Sequence, residues 1–420
     1  MNEGKVVALQ NPEGVADPLR ELLCRGAQQL IEQAVEQELV EFLARQADGQ
    51  EAVGRAAVVR NGYLPAREIL TGIGPVAVQV PKVRSRTDVP AVFHSSLVPP
   101  YVRKAKSVEA ALPWLYLKGI STGQMQDALT VLVGPQAKGL SAPVVSRLKA
   151  AWSADYQTWC QRRLDRDRWV YVWADGIYSG LRAESQRLCV LVVIGVNERG
   201  EKHFLAIEDG VREATQSWRE VLVKLKDRGL KLAPKLAVGD GALGFWGALE
   251  EIYPETRRQR CWVHKTANVL NYLPKSVQPK AKQALQEIWM APSRDAAQRA
   301  FDLFVATYQA KYPKASACLT KDREALLAFY DFPAEHWPHI RTSNPIESSF
   351  ATIRHRTEQT HGCGSRNTVL TLMFKLGMCA EQHWRRIRGF HYLAKVITGV
   401  RFKDGIENVE SDLQSSRCAA

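Results

Sequence analysis

Three carboxylates stand out by their surroundings. Asp175 closes an apolar and aromatic run, WVYVWADGIYSG, and is followed by glycine. Asp240 repeats the arrangement in LAVGDGALGF, and Glu347 lies in SNPIE, ahead of the basic triplet Arg354, His355 and Arg356. An unpaired carboxylate at the end of a buried strand costs several kcal/mol, so each aspartate calls for a partner or a cation. If the two strands end side by side, both carboxylates stay ionised only with a cation between them. Oxygen-only ligands select Mg²⁺ or Mn²⁺, and two such ions can activate a water or a 3′-hydroxyl and stabilise the leaving oxygen of a phosphodiester. Structural alternatives stand beside this reading. Asp-Gly is a common turn dipeptide, occurring here at Asp48, Asp175, Asp209, Asp240 and Asp404. Glu347 also fits a capping box, with Asn344 as the cap and Pro345 in the first helical position.

Other chemistries lack their residues. There is no Walker glycine loop and no CxxC. The eight cysteines are scattered, as in a reducing compartment. Cys261 and His264 have CxxH spacing without a second pair at a suitable distance, so the expectation is a supporting role: a buried thiol, and a histidine near the acidic centre. Trp262 reads as core.

The elements that must position these groups follow from patterning. Strands are expected at Trp169–Asp175, Leu188–Asn197, Lys202–Glu208, Lys235–Asp240 and Thr256–Val263, with helices at Glu213–Arg228 and up to Tyr253. Three antiparallel strands followed by alternating helix and strand is the order of a ribonuclease-H-like core. The expected fold is therefore α+β: a ribonuclease-H-like core over 165–264, an all-helical insertion over 265–335, and the end of the core with a basic carboxyl-terminal helix over 336–403. A polar tail, 404–420, closes the chain. Ahead of the core, 1–160 reads as a mostly helical DNA-binding and assembly region. It holds a helix over 17–46 with a stripe of Leu22, Leu30, Ala34, Leu39 and Leu43, a small β element over 61–86, and helices compatible with helix-turn-helix reading.

The chain has 420 residues and a formal charge of +13. Arg55 to Lys106 holds nine basic residues against two acids, Arg257 to Lys282 seven against none, and Ser348 to Lys403 ten against two. Three basic stretches point to a polyanion contacted by several parts of the molecule. The candidate DNA contacts are Arg147, Lys149, Lys265, Lys275, Arg354, His355 and Arg356. No signal peptide or span-length apolar run is visible, so a cytoplasmic, nucleoid-associated protein is expected.

The order DG…GDG…QRCWVH…TSNPIE, with NGY…TGIG…VPKVR upstream, resembles the Mutator-type transposases of bacterial insertion sequences. QRCWVHKTANVLNYLPK is the most specific part of the likeness, which runs from Asn61 to Arg388. It implies a DDE transposase with Asp175, Asp240 and Glu347 as metal-binding triad and two Mg²⁺ or Mn²⁺ ions. The implied partners are the terminal inverted repeats, target DNA and further copies of the chain. The alternatives from the residues alone are a nucleic-acid-binding protein with a silent core and a structure-specific nuclease.

Overall fold

The computed structural model describes residues 18–47, 56–86, 89–118, 120, 124–125, 127, 129–130, 141–179, 188–210, 212–241, 243–347, 350 and 365–408. Two compact units divide between Leu148 and Lys149. The helix Ala142–Cys160 runs through that division. None of the described helices is long and apolar enough to cross a membrane.

In the first unit the helix Pro18–Ala47 packs on four short strands, β1 (Val58–Tyr63), β2 (Arg67–Thr71), β3 (Gly74–Val78) and β4 (Pro81–Ser85). The strands pair as two antiparallel ribbons, β1 with β4 and β2 with β3. Ribbons this small are marginal alone, and the helix supplies the missing apolar face. Its buried stripe is Val35 and Leu39 with Ala27, Ile31, Phe42 and Leu43 against them, the i, i+4 spacing of one helix face. Leu22, Leu30 and Ala34 point outward, which corrects the expected stripe.

The second unit is built on a five-stranded sheet of order β7-β6-β5-β8-β9. Its strands are β5 (Trp169–Ser179), β6 (Leu188–Asn197), β7 (Lys202–Gly210), β8 (Leu236–Gly239) and β9 (Arg257–Arg260). The first three form an antiparallel meander; β8 and β9 run parallel to β5 after the crossover helices Thr215–Asp227 and Leu243–Ile252. Every residue of β6 is buried, because it has neighbours on both edges and cover on both faces. One face carries the two crossover helices through Trp218, Leu222, Phe245 and Leu249. On the other, Phe204 meets Phe350 and Trp384, and Tyr171 meets Phe332.

Three expectations change here. Asp175 does not end its strand: β5 continues to Ser179, with Asp175 opposite Val192 of β6. β9 stops at Arg260 because Trp262–Leu270 is already helix. The carboxyl-terminal helix spans Arg366–Glu381 and is a core element, burying Val369, Leu372, Met373 and Phe374, with Glu381 accepting from the Phe204 amide. Between β9 and Ser343 the chain is helical, with the helices Trp262–Leu270, Gln278–Trp289, Arg294–Tyr308, Pro313–Thr320 and Arg323–Leu327. Part of the expected tail is ordered: β10 (Phe402–Lys403) and β11 (Ile406–Glu407) form a hairpin around Asp404-Gly405. Both turn residues have positive φ, so here Asp-Gly is indeed a turn.

Candidate catalytic site

The register of three parallel strands sets the site. Ala174, Gly239 and Arg260 pair in one row across β5, β8 and β9. One residue further on are Asp175, Asp240 and Cys261, the last tied back by its amide to the Gly239 carbonyl at 2.8 Å. Adjacent strands are about 4.8 Å apart, so the two aspartates leave neighbouring strands side by side. Gly241 then turns the chain with φ of +91°, and a Cβ there would lie 0.3 Å from the Arg260 guanidinium. Glycine at 241 is thus required twice, for its backbone angle and for the arginine that occupies the side-chain space.

Glu347 arrives from beyond the helical segment. Its helical turn starts one residue earlier than the capping-box alternative requires. The Ser343 carbonyl accepts from the Ile346 and Glu347 amides, so Ser343 is the cap and Glu347 falls fourth. In a capping box the acid would take the amide of the cap residue. Here the Ser343 amide donates instead to Cys261 Sγ at 3.2 Å. The Ser343 hydroxyl, fully buried, lies 2.9 Å from Glu347 Oε1, 3.2 Å from Cys261 Sγ and 3.3 Å from His264 Nδ1. Its single proton is best used on the carboxylate, where the bond is charge-assisted. His264 Nδ1 stands 3.8 Å from the same Glu347 oxygen. Cys261, His264 and Glu347 place their ligand atoms within 4.8 Å of one another.

These groups share one electrostatic field. Burial pushes the Asp175 carboxyl up to about 7; His264 opposes the shift, while Asp240, Glu213 and Glu347 add to it. The hydrogen bond with Cys261 lifts His264 to about 9 against its burial, helped by Asp175 and Glu347. Burial drives the Cys261 thiol up, but bonds to His264 and Ser343 outweigh it and leave the thiol below its usual value. Crowded, half-buried carboxylates whose charges raise the Asp175 carboxyl fit a hard divalent cation, which would remove the repulsion at its source.

The structure treats the predicted contacts unequally. Lys265 is fully buried, its ammonium held by the Cys318 carbonyl at 2.8 Å and by Asp322, so it cannot reach a phosphate. Arg257, Arg258 and Arg260 also face acids, Asp331, Glu250 and Asp322. Besides Arg257, which is exposed but paired with Asp331, the middle basic stretch exposes Lys275, Lys280 and Lys282. Arg147 is exposed and Lys149 half-buried on the helix Ala142–Cys160. Arg354, His355 and Arg356 lie outside the described residues. Trp262 is core, its indole donating to the Leu326 carbonyl at 2.8 Å.

Two residues of the site escaped the sequence reading, Ser343 and Glu213. Ser343 stands directly before the SNPIE turn. Glu213 lies in no motif, and its only trace in the sequence is the pair of glycines that make room for it, Gly176 and Gly244.

Asp175 lies within β5, and Asp240 directly follows the parallel strand β8 beside it. The chain matches the family model described as transposase, Mutator family, over residues 3–386, and it belongs to that family. It is 55% identical over 282 residues to the transposase for insertion sequence element IST2 of Acidithiobacillus ferrooxidans, covering 67% of this chain and 95% of that one. Identity to the transposase for element IS6120 of Mycolicibacterium smegmatis is 47% over 294 residues, 70% and 90% of the two chains. The transposase for element ISRM5 of Rhizobium meliloti is 27% identical across 90% of this chain and 91% of its own.

Proposed function

We propose that this transposase cleaves the ends of an insertion sequence and joins them to target DNA at a ribonuclease-H-like centre formed by Asp175, Asp240 and Glu347. The observation that carries the reading is the convergence of the three carboxylates: two from adjacent strands, the third on a turn that Ser343 ties to Cys261 and His264. The sheet supports it, since an antiparallel meander followed by two parallel strands on crossover helices is the ribonuclease-H order.

Asp175, Asp240 and Glu347 would hold two Mg²⁺ or Mn²⁺ ions, which when bound activate the attacking hydroxyl and stabilise the leaving oxygen. The protein's own part is positional. β5 and β8 fix the aspartates through ladders of backbone hydrogen bonds. Ser343 and His264 hold the Glu347 carboxylate from one side, and His264, a cation at neutral pH, offsets the negative charge while the site is empty of metal. No side chain acts as a nucleophile. DNA would be met by Lys275, Lys280 and Lys282 on the helical segment and by Arg147 and Lys149, with 1–160 reading the element's ends as part of a homo-oligomer.

Strand transfer of a labelled element-end duplex by Asp175→Asn, Asp240→Asn and Glu347→Gln tests this. Each should fall by three orders of magnitude or more, since metal ligation supplies several kcal/mol of transition-state stabilisation, while duplex binding persists. Near-normal strand transfer by Glu347→Gln in Mg²⁺ would overturn the assignment.

A further inference from the structure

The CxxH pair finds in space the partners it lacks in sequence. Cys261 stands at the cap of the helix Trp262–Leu270 and His264 is its third residue, so thiol and imidazole meet at one end of that helix. Against them lies the turn that carries Ser343 and Glu347, held by two backbone amides. The Ser343 amide donates to Cys261 Sγ at 3.2 Å, and the Trp262 amide donates to the Arg341 carbonyl at 3.0 Å. A sulfur, a nitrogen and a carboxylate oxygen from two distant segments are thereby brought within 4.8 Å of one another. His264 Nδ1 and Glu347 Oε1 are 3.8 Å apart, and the Ser343 oxygen closes one side of the triangle at 2.9 to 3.3 Å from all three atoms.

That is close to the spacing of a zinc shell. Bonds of about 2.0 Å to nitrogen and oxygen and about 2.3 Å to sulfur set tetrahedral ligand atoms roughly 3.3–3.6 Å apart. The His264–Glu347 pair therefore needs to close by only a few tenths of an ångström. The donor set also selects the ion, since thiolate and imidazole favour Zn²⁺ while Mg²⁺ takes oxygen ligands. Cys261 and Ser343 are fully buried, whereas His264 and Glu347 are partly exposed, which leaves one side open for an ion to enter.

We propose that Cys261, His264 and Glu347 form a second metal site, for Zn²⁺, which draws Glu347 away from the Mg²⁺ centre and so silences strand transfer. The Ser343 hydroxyl or a water completes the four ligands, and binding releases the protons of the thiol and the imidazole. The silencing rests on the catalytic role proposed for Glu347; the binding does not.

Co²⁺, which takes the ligands of Zn²⁺ and absorbs through a thiolate-to-metal charge-transfer band, is the probe for the reduced full-length protein. One equivalent should bring up the band, and Zn²⁺ should abolish it by displacement. Cys261→Ser should lack the band, and His264→Asn and Glu347→Gln should bind roughly tenfold more weakly or worse, each checked for folding by its melting transition. Asp175→Asn, which is no part of this ligand set, should show the band at full strength. In Mg²⁺, added Zn²⁺ should then lower strand transfer roughly tenfold or more, as displacement of a catalytic group does, with the midpoint at which it displaces Co²⁺. No band in the folded unsubstituted protein, or an undiminished band in Cys261→Ser, overturns the site and leaves the proposed catalytic triad standing. A band accompanied by strand transfer that bound Zn²⁺ does not change overturns the silencing. In that case an inactive Glu347→Gln shows that the glutamate stays with Mg²⁺, and an active one shows that the catalytic assignment is at fault.

Discussion

Asp175 should weaken the metal-free protein that it serves. Its carboxyl titrates near 7 in the folded chain against an ordinary value of 3.8. Between those values the unfolded chain has released its proton and the folded chain has not, so this group's contribution to stability falls as pH rises through that window. Above pH 7 the whole penalty is present. About three pH units at ~1.4 kcal/mol each gives ~4 kcal/mol as an upper figure. Asp175→Asn removes the charge and keeps the shape, at the loss of whatever the carboxylate gains from His264. A net gain of ~2 kcal/mol corresponds to roughly 4 °C or more in the melting of a unit of this size. The measurement is thermal unfolding of both proteins in chelator at pH 8.5 and pH 5. The variant should melt higher at pH 8.5, and the difference should shrink markedly at pH 5. Mg²⁺ should then raise the melting temperature of the unsubstituted protein and leave the variant nearly unmoved, because ligand binding stabilises only the state that binds. A variant no more stable at pH 8.5, or one with the same gain at both pH values, would refute the account of Asp175 as a buried, repelled carboxylate.

The remaining predictions follow from single contacts. Ser343→Ala removes the hydroxyl from Glu347 Oε1 and should lower strand transfer by ~10- to 100-fold, the value of one charge-assisted bond, with duplex binding unchanged. Neutralising Lys275, Lys280 and Lys282 together should reduce the slope of log binding against log salt by ~2 to 3, about 0.9 per phosphate contact. Lys265→Met should leave that slope alone and lower stability by ~1–3 kcal/mol, because Asp322 keeps Arg260 but loses its ammonium partner. A fragment ending at Cys160 should prefer an inverted-repeat duplex over a scrambled one at fixed salt; equal binding by the folded fragment would move end recognition elsewhere.

The sheet was legible because its signals are local. Leu188–Asn197 is apolar at nearly every step, as a strand covered on both faces must be, and its ends were read to the residue. What failed depends on distant partners. Lys265 belongs to a basic run, yet its role is decided by Cys318 and Asp322, more than fifty positions away. Nothing near residue 265 announces them. The helix stripe Leu22, Leu30, Ala34 failed differently: in a helix rich in leucine on several sides, Val35 and Leu39 are distinguished only by the ribbons they cover. The Asp175-Gly176 pair could be read as a turn from composition, and the reason it is strand lies in β6 alongside it.

The helical segment between β9 and Ser343 also sets an order of events. Asp175 and Asp240 are synthesised with the strands that position them, but Glu347 follows only after six α-helices among the described residues. Until the Ser343 turn docks on Cys261, Glu347 has no fixed place in the site. Domains tend to fold in the order in which they are made. On the proposed assignment, a chain truncated before residue 343 would keep the exposed lysines of the helical segment and lack one of the three carboxylates, and so would compete with its own finished form for DNA.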